Sequence, residues 1–171
     1  MKQSLLLIGI VFLLSACSEP KKESKLKPLL DEQMKYSHAE ENWFVPTKVA
    51  IEGLTAEQSN WKDSTDNHSI GEIIYHLTFW NDIQLRVFKG EDFSNLKVDN
   101  DTTFTAYTEG EWTQLTAKLD SVQTELQSMI ASANEEQLSV WAGNMMNIAS
   151  HNAYHSGQIL YIRKRNGWWK R

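Results

Sequence analysis

The sequence predicts an all-α protein, a four-helix bundle with a long crossover between its second and third helices. Apolar residues recur every three or four positions in four segments, at about 26–54, 69–88, 109–133 and 145–165. This is the period of a helix that buries one face. No segment shows the regular apolar–polar alternation that is typical of a half-buried strand.

The first segment carries its main apolar residues at Leu26, Leu30, Met34, Phe44, Ile51 and Leu54. Pro46 lacks a backbone N–H and crowds the preceding turn, which predicts a kink or a break there. Thr55 and Gln58 have the spacing of a capping box, in which two side chains bind the free N–H groups at a helix start. They predict one short turn before Trp61.

The second and third helices each begin with a capping box. Ser69 and Glu72 form the first pair, and Thr108 and Glu111 form the second. Gly90 provides a stop for the second helix. The third helix has the most regular apolar stripe, which comprises Trp112, Leu115, Leu119, Val122, Leu126, Met129 and Ala133. Both helices therefore have a defined start and one core-facing side.

The link between these two helices, residues 89–107, is long for a connection between neighbouring antiparallel helices. Fully extended, it reaches roughly 60 Å, whereas a twenty-residue helix is about 30 Å long. The link can therefore return along the whole bundle and join two parallel helices, as in bundles with a crossover. Beyond the fourth helix, Trp168 and Trp169 are expected to pack back on the bundle.

The fourth segment contains His151 and His155, four residues apart. In a helix this spacing puts both imidazoles on one face, one turn apart, so that they can reach one metal ion. Ile148, Ile159 and Ile162 fall on the same side, which indicates that the pair faces the core.

His76 is the best candidate for a third ligand. Ile73, Trp80 and Ile83 share its helix face, so it also points towards the core. Three imidazoles suit zinc, nickel, iron or copper and leave one coordination position open. The alternative is that the histidines are hydrogen-bonded core residues, although neutral imidazoles are costly to bury without partners.

Four further side chains are candidates to contact a ligand or to line a pocket, namely Glu72, Gln158, Trp80 and Tyr154. The capping box explains Glu72 equally well, and core packing is the simpler role for the two aromatic residues. His68 lies outside the helix start, too far along the chain to share the ion with His76, and His38 is expected at the surface. Asn152 stands where a His-Glu-x-x-His motif has its glutamate, so no general base is built in.

The N-terminus predicts a bacterial lipoprotein. Lys2 precedes a short apolar run at 5–14, which is too short to span a bilayer but suits a signal peptide, here residues 1–16. Leu14-Ser-Ala-Cys17 resembles a lipoprotein cleavage site with Cys17 as the lipidated residue, and residues 17–25 are a charged tether before a domain at 26–171. An ordinary secretory signal is the alternative. Ser18 favours the outer membrane over the inner one.

The charge of the chain excludes some partners. Its formal net charge is −5, and the leader carries only one of the basic residues, so the mature chain is more acidic still. This argues against nucleic-acid binding and leaves the lipid as the contact with the membrane. Because Cys17 is the only cysteine, the mature chain cannot form an internal disulfide.

The chain resembles the DinB/YfiT-like superfamily of helical-bundle metalloproteins. The residues that carry the resemblance are 67–81, 151–159, 50–58 and Trp61. It implies a four-helix bundle with a crossover and a divalent metal, often nickel or zinc. The ligands would be one histidine of the second helix and two of the fourth, which here are His76, His151 and His155. Some relatives are thiol-dependent transferases or isomerases.

Together these patterns lead to two functional hypotheses. The first is a lipid-anchored, metal-dependent hydrolase or transferase of the bacterial envelope, which acts on a small molecule at an open metal position. The second is a non-catalytic module that binds a metal or a ligand, or that forms a homodimer. The open coordination position favours the first hypothesis, and the missing general base favours the second.

Overall fold

The computed structural model describes residues 25–170, and the chain is helical wherever it is regular. Its elements are α1 Leu26–His38, α2 Thr47–Ile51, α3 Ala56–Asn60, α4 Ile70–Phe88, a 3-10 helix at Asn100–Thr103, α5 Glu109–Ser132 and α6 Glu135–Arg165. The predicted signal peptide, the lipidated Cys17 and all of the tether but Lys25 lie outside the described residues. Between residues 25 and 170, no helix has both the length and the apolarity that a membrane span requires.

The four long helices form a square bundle. α1 contacts α5 and α6, and α4 contacts the same two helices, so that α1 and α4 lie on one diagonal. α4 and α6 are antiparallel, since Phe88 packs on Trp141 whereas His76 faces His155. The predicted all-α bundle is therefore confirmed.

Side-chain pairs fix the relative direction of α4 and α5. Lys118 Nζ lies 2.6 Å from Asp82 Oδ1, and further along both helices Lys89 Nζ lies 2.5 Å from Glu125 Oε1. Residue numbers thus rise together along the two helices, which makes them parallel. Residues 89–107 return along the bundle as the crossover that the length of this link predicts.

Reciprocal capping boxes begin α3, α4, α5 and α6, as predicted at Thr55, Ser69 and Thr108. The fourth long helix departs from prediction, because α6 begins at Glu135 and not near residue 145. Asn134 accepts a hydrogen bond from the Gln137 N–H, and the Gln137 side chain accepts one from the Asn134 N–H. A cap of this kind is typically worth about 1 kcal/mol. The buried Leu138 extends the apolar face into this added part.

The first segment also differs from its prediction. α1 ends at His38, well before Pro46, and the chain is irregular up to α2. Pro46 precedes the first residue of α2 with an extended backbone, where its missing N–H costs nothing. Trp43, in the irregular stretch, is almost fully exposed. The first helix therefore ends before the position at which Pro46 alone predicts a break.

The core consists of two apolar clusters on either side of a polar layer. One cluster contains Leu30, Met34, Leu85, Leu126, Ile130 and Met145, and the other contains Ile70, Ile74, Leu77, Trp112, Leu119 and Ile159. Five buried residues make up the polar layer: Ser37, Thr47, Asn81, Asn152 and Ser156. Thr47 Oγ1 lies 2.8 Å from Ser156 Oγ and donates to the Ser37 carbonyl, while Asn81 Nδ2 donates to Asn152 Oδ1 at 3.0 Å. These hydrogen bonds make the burial of the layer tolerable, although Asn152 Nδ2 has no partner among the described residues.

The C-terminal tryptophans pack back on the bundle, as expected. Trp168 meets Trp61 edge to face, with ring centres 5.9 Å apart. Arg163 donates to the Ala50 and Trp168 carbonyls, and its guanidinium lies over the Trp169 ring. One buried arginine thus ties the end of the chain to α2 and α6.

Candidate metal centre

Three histidine side chains meet between α4 and α6, next to the polar layer. His151 Nε2 lies 3.1 Å from His76 Nε2 and 3.0 Å from His155 Nε2. The three candidate ligand atoms all lie within 4.8 Å of one another. His76 and His155 are buried and His151 is partly exposed. The four-residue spacing on α6 and the antiparallel course of α4 bring these rings together.

The crossover fixes the orientation of the His76 ring. His76 Nδ1 lies 2.8 Å from Thr103 Oγ1, and the Thr103 hydroxyl donates its only proton to the Asn100 carbonyl. The hydroxyl must therefore accept a hydrogen bond from His76 Nδ1–H. Phe104 stacks on the same imidazole, with ring centres 4.5 Å apart. It follows that His76 Nε2 carries a lone pair directed at the other two histidines.

Gln158 does the same for His155. The Gln158 side-chain oxygen lies 2.7 Å from His155 Nδ1, and the Gln158 NH2 group donates to the Tyr154 hydroxyl at 3.1 Å. An amide oxygen can only accept, so His155 Nδ1 carries the proton. His155 Nε2 is therefore also an unprotonated acceptor, and Gln158 and Tyr154 orient it from one turn of α6.

In this arrangement, the Nε2 lone pairs outnumber the protons that are available to them. Two Nε2 lone pairs, on His76 and His155, face the Nε2 of His151, which can donate at most one proton. At least one buried lone pair then lacks a partner, which is costly. A divalent cation would satisfy all three nitrogens at once, and backing of ring N–H groups by oxygen acceptors is typical of histidines that bind metals. The residues thus fit a transition metal.

The histidines are also in the charge state that binds metals. Burial first, and then the neighbouring histidines, lower the pKa of His76 to about 4. Burial and His151 lower the pKa of His155 to about 4, against a smaller opposite effect of Gln158, and burial lowers the pKa of His151. All three rings are therefore neutral at pH 7, and a neutral imidazole is the form that ligates.

Glu72 does not join the centre. Its carboxylate accepts from the Ser69 N–H at 2.7 Å in the capping box and pairs with Lys62 Nζ at 3.2 Å. Burial alone would raise the pKa of Glu72, but these hydrogen bonds lower it overall. His68 stacks on Phe104 and lies 3.7 Å from the Glu72 carboxylate, outside the group of three. Both residues have structural roles at the start of α4.

One cavity is lined by histidines of the centre, and a second lies beside Gln158 and Tyr154. The first has a volume of about 530 Å³ and is lined by His76, Trp80, Asn81, Gln84, Asn100, Asn144, Asn147, Ile148 and His151. The second has a volume of about 420 Å³, and Tyr154, Gln158 and His68 are among its lining residues. Trp80 and Tyr154 thus line different cavities, and a small molecule has access to the histidines from the first.

The sequence does not reveal the roles of Thr103 and Phe104, because the crossover shows no helical period and its length indicates only a link. It also does not reveal the carboxamides of the first cavity, since asparagine is common on exposed helix faces. The available signal was the three-residue step from Asn144 to Asn147, which continues one turn later to His151. That spacing puts all three on one face of α6.

His38 was expected at the surface, and this is wrong. It is buried at the end of α1, with Nε2 2.8 Å from Asp120 Oδ1 on α5. A carboxylate partner from a helix far away in the sequence makes this burial tolerable. Such a partner cannot be read from the residues around position 38.

The fold and the site together give the class of protein. It is a helical bundle in which one histidine of the second long helix and two of the fourth form a cluster that is compatible with metal binding. Residues 47–159 match the family model of the DinB superfamily, and the chain belongs to that superfamily. The match runs from the start of α2 into α6 and includes all three histidines. DinB-like proteins bind divalent metals. No curated protein and no solved structure matches the chain significantly.

Proposed function

We propose that the protein is a lipid-anchored, metal-dependent enzyme of the bacterial envelope. It hydrolyses a small molecule or transfers a group from it, at a centre formed by His76, His151 and His155. The observation that carries this proposal is the convergence of three Nε2 atoms, two of them fixed as lone-pair donors, beside a cavity. Zinc or nickel is the proposed ion.

His76, His151 and His155 would hold the ion with three nitrogens, and three protein ligands are typical of catalytic rather than structural sites. Thr103 and Gln158 keep two of the rings in the correct tautomer. When bound, a divalent ion supplies Lewis acidity, which polarises a substrate oxygen or lowers the pKa of water.

A non-catalytic binding module is the second candidate. It is favoured by the absence, between residues 25 and 170, of a carboxylate in the histidine group. Glu72, the nearest candidate base by sequence, is held by Ser69 and Lys62. An enzyme with this centre would have to rely on a histidine, on the Tyr154 hydroxyl or on the substrate itself for proton transfer.

The test combines metal content with turnover. The purified full chain is incubated with zinc or nickel at neutral pH, and bound metal is measured by elemental analysis in wild type, His151→Ala and, as control, His68→Ala. The same samples are assayed against esters, amides and phosphoesters. Stoichiometric metal with turnover that His151→Ala abolishes supports the enzyme. Metal without turnover supports the binding module, and no metal uptake contradicts both the enzyme and a module that binds metal.

The membrane anchor is a separate part of the proposal. It is supported by the apolar run at 5–14 and by Leu14-Ser-Ala-Cys17. Mass spectrometry of the protein from bacterial membranes should find a chain that begins at Cys17 with acyl groups attached. An unmodified Cys17 or a different first residue would contradict the anchor without affecting the metal centre.

A further inference from the structure

One face of α6 is exposed along the whole length of this 31-residue helix. Four of the nine large apolar side chains that are exposed between residues 25 and 170 belong to α6, namely Val140, Met146, Tyr154 and Tyr161. Beside them runs a line of exposed residues at seven-residue intervals, which is the spacing of a helix-packing seam. The members of this line are Glu136, Gly143, Ser150, Gly157 and Lys164.

Packing within one copy of the chain does not explain the two glycines of this line. Glycine is, after proline, the residue that least favours a helix. A Cβ atom added at Gly143 or at Gly157 would meet nothing within 4 Å, and neither glycine has a positive φ. Small residues on a helix surface instead allow a second helix to approach closely. The glycines therefore indicate a helix that comes from outside this copy.

The line is symmetric about Ser150. Gly143 and Gly157 lie seven positions on either side of it, and Glu136 and Lys164 lie fourteen positions on either side. If two copies of α6 pack antiparallel with a two-fold axis at Ser150, Gly143 faces the partner's Gly157. In the same arrangement, Glu136 faces the partner's Lys164. The line is thus complementary to itself when one copy is reversed.

Charge selects this direction of packing. Neither Glu136 nor Lys164 forms an ion pair among residues 25–170, so both are available to a partner. Parallel packing would oppose like charges at both ends of the helix, which is unfavourable. The helix dipole explains an acidic start and a basic end of α6, but it does not explain the glycines at matching positions between them.

We infer that the exposed face of α6 is the interface of a homodimer, in which α6 of a second copy packs antiparallel across it. Both copies use the same surface, as is usual in two-fold dimers. Met146 and Tyr154 each lie four positions from Ser150, so the partner's Met146 faces Tyr154. A thioether against an aromatic ring is a favourable contact.

The size of the face is sufficient for a reversible dimer. From residue 136 to residue 164 the helix is about 42 Å long, and a helix with its side chains is about 12 Å wide. The strip therefore covers roughly 500 Å² in each copy, or about 1,000 Å² in the pair, which is near the lower limit of a specific interface.

The second copy would also contact a residue that supports the metal centre. Tyr154 is exposed in a single copy, and its hydroxyl accepts a hydrogen bond from Gln158, which orients His155. Dimer formation should therefore hold Tyr154 in place. The interface does not depend on the proposed function, because none of its residues is a proposed metal ligand.

The first experiment uses a cysteine on the two-fold axis. Facing Cα atoms of two closely packed helices are about 5 Å apart, which suits a disulfide. Purified full-length Ser150→Cys should therefore form a covalent dimer on mild oxidation. Ser139→Cys is the control, because its own counterpart would lie about 33 Å away along the helix. Cys17 is present in every variant, so the wild type measures its background. Equal cross-linking of Ser150→Cys and Ser139→Cys would overturn the inference.

The second experiment closes the groove at a glycine. Gly143→Leu should raise the Kd of the dimer at least about tenfold in sedimentation equilibrium of the full chain, because its side chain keeps the helices apart. It should not destabilise the fold, since leucine favours a helix and has space there. Gly110→Leu is the matched control, on an exposed glycine of α5 that also has open space around it. A monomeric wild type, or a Kd that Gly143→Leu leaves unchanged, contradicts the inference.

The third experiment exchanges the charges at the two ends. Glu136→Lys and Lys164→Glu should each raise the Kd of the dimer about threefold, because each opposes like charges. The double variant should recover the affinity of the wild type. All variants should bind as much metal as the wild type does, whether or not they form dimers. A double variant that is weaker than both single variants would show that these two residues do not face each other.

Discussion

His38 and His76 are both buried in the bundle, but their surroundings differ. His38 Nε2 meets Asp120, and Lys48 Nζ lies 2.8 Å from the same carboxylate oxygen. Burial lowers the pKa of His38, and the hydrogen bond with Asp120 opposes that effect. The Nε2 proton of His38 therefore has a carboxylate acceptor, whereas its buried Nδ1 has no hydrogen-bond partner among the described residues.

Among residues 25–170, no such carboxylate joins the three histidines around His76. Oxygen acceptors instead hold the far nitrogens of His76 and His155, and the near nitrogens of all three rings face one another. The comparison shows that burial alone does not identify a metal ligand. The identifying feature is a ring whose Nδ1 proton is already committed, so that its Nε2 lone pair is presented to a shared point.

The largest expected effect is on the metal dependence of the free energy of unfolding, which should distinguish the centre around His76 from the region around His38. Removing metal with a chelator should lower the free energy of unfolding of the wild type by about 4 kcal/mol at metal concentrations a thousandfold above Kd. The chelator should hardly change the free energy of unfolding of His151→Ala, because the two remaining histidines bind metal only weakly. His38→Ala, the control from the other region, should respond to chelator like the wild type. Thermal melts with and without chelator measure this, and equal responses in all three proteins would refute the distinction.

The metal-free centre should also respond to pH. The pKa of His76 and of His155 is about 4 in the folded protein, against about 6.5 unfolded, so the unfolded chain binds more protons between these values. The stability contribution is complete above pH 6.5 and is lost as the pH falls towards 4. We expect each of the two groups to contribute a loss of up to about 3 kcal/mol over this window.

Urea unfolding of chelated protein across pH 4–7 measures this loss. His76→Ala should give a flatter profile than the wild type, since one of the two groups is gone. Identical slopes would show that the histidines at the centre do not carry the pH dependence.

The next effect belongs to His38 alone. His38→Ala creates a cavity and removes the buried partner of Asp120, which should destabilise the protein by about 2 kcal/mol. Bound metal should remain stoichiometric by elemental analysis. Loss of metal from this variant would mean that the two regions are coupled and that the contrast between them is false.

The smallest effect tests how the His76 ring is held. Thr103→Val keeps the shape of the side chain but removes the acceptor for His76 Nδ1–H, and metal affinity should fall by about tenfold. Thr102→Val is the matched control, because Thr102 Oγ1 donates to the Asp99 carbonyl on the exposed side of the same 3-10 helix. Competition with a metal indicator measures both variants. A similar metal affinity for Thr103→Val and wild type would show that the crossover does not support the metal centre.

The sequence was most informative where local rules apply. The helix period and the capping boxes at Ser69 and Thr108 predicted α4 and α5, and the four-residue step from His151 to His155 placed two imidazoles on one face. These features depend on neighbours within one or two turns. The length of the crossover added the topology, because chain reach limits which helix ends can be joined.

The features that sequence reasoning missed depend on distant partners. Thr103 contacts His76 across 27 positions and Asp120 contacts His38 across 82, so no local pattern reports either pair. The early start of α6 was missed for a different reason. Asn134 is as good a cap as serine, but the weak apolar pattern after it, with exposed Val140, hides the added turns.

The polar layer has a consequence for how the bundle opens. Apolar packing is interrupted between Leu77 and Leu85 on α4, so each half of the core can lose its protection from solvent without the other. Amide hydrogen exchange would then resolve two cooperative units, reported by Ile74 and by Ile130. An ion that joins α4 to α6 beside this boundary should slow exchange on both sides of it and merge the two units into one.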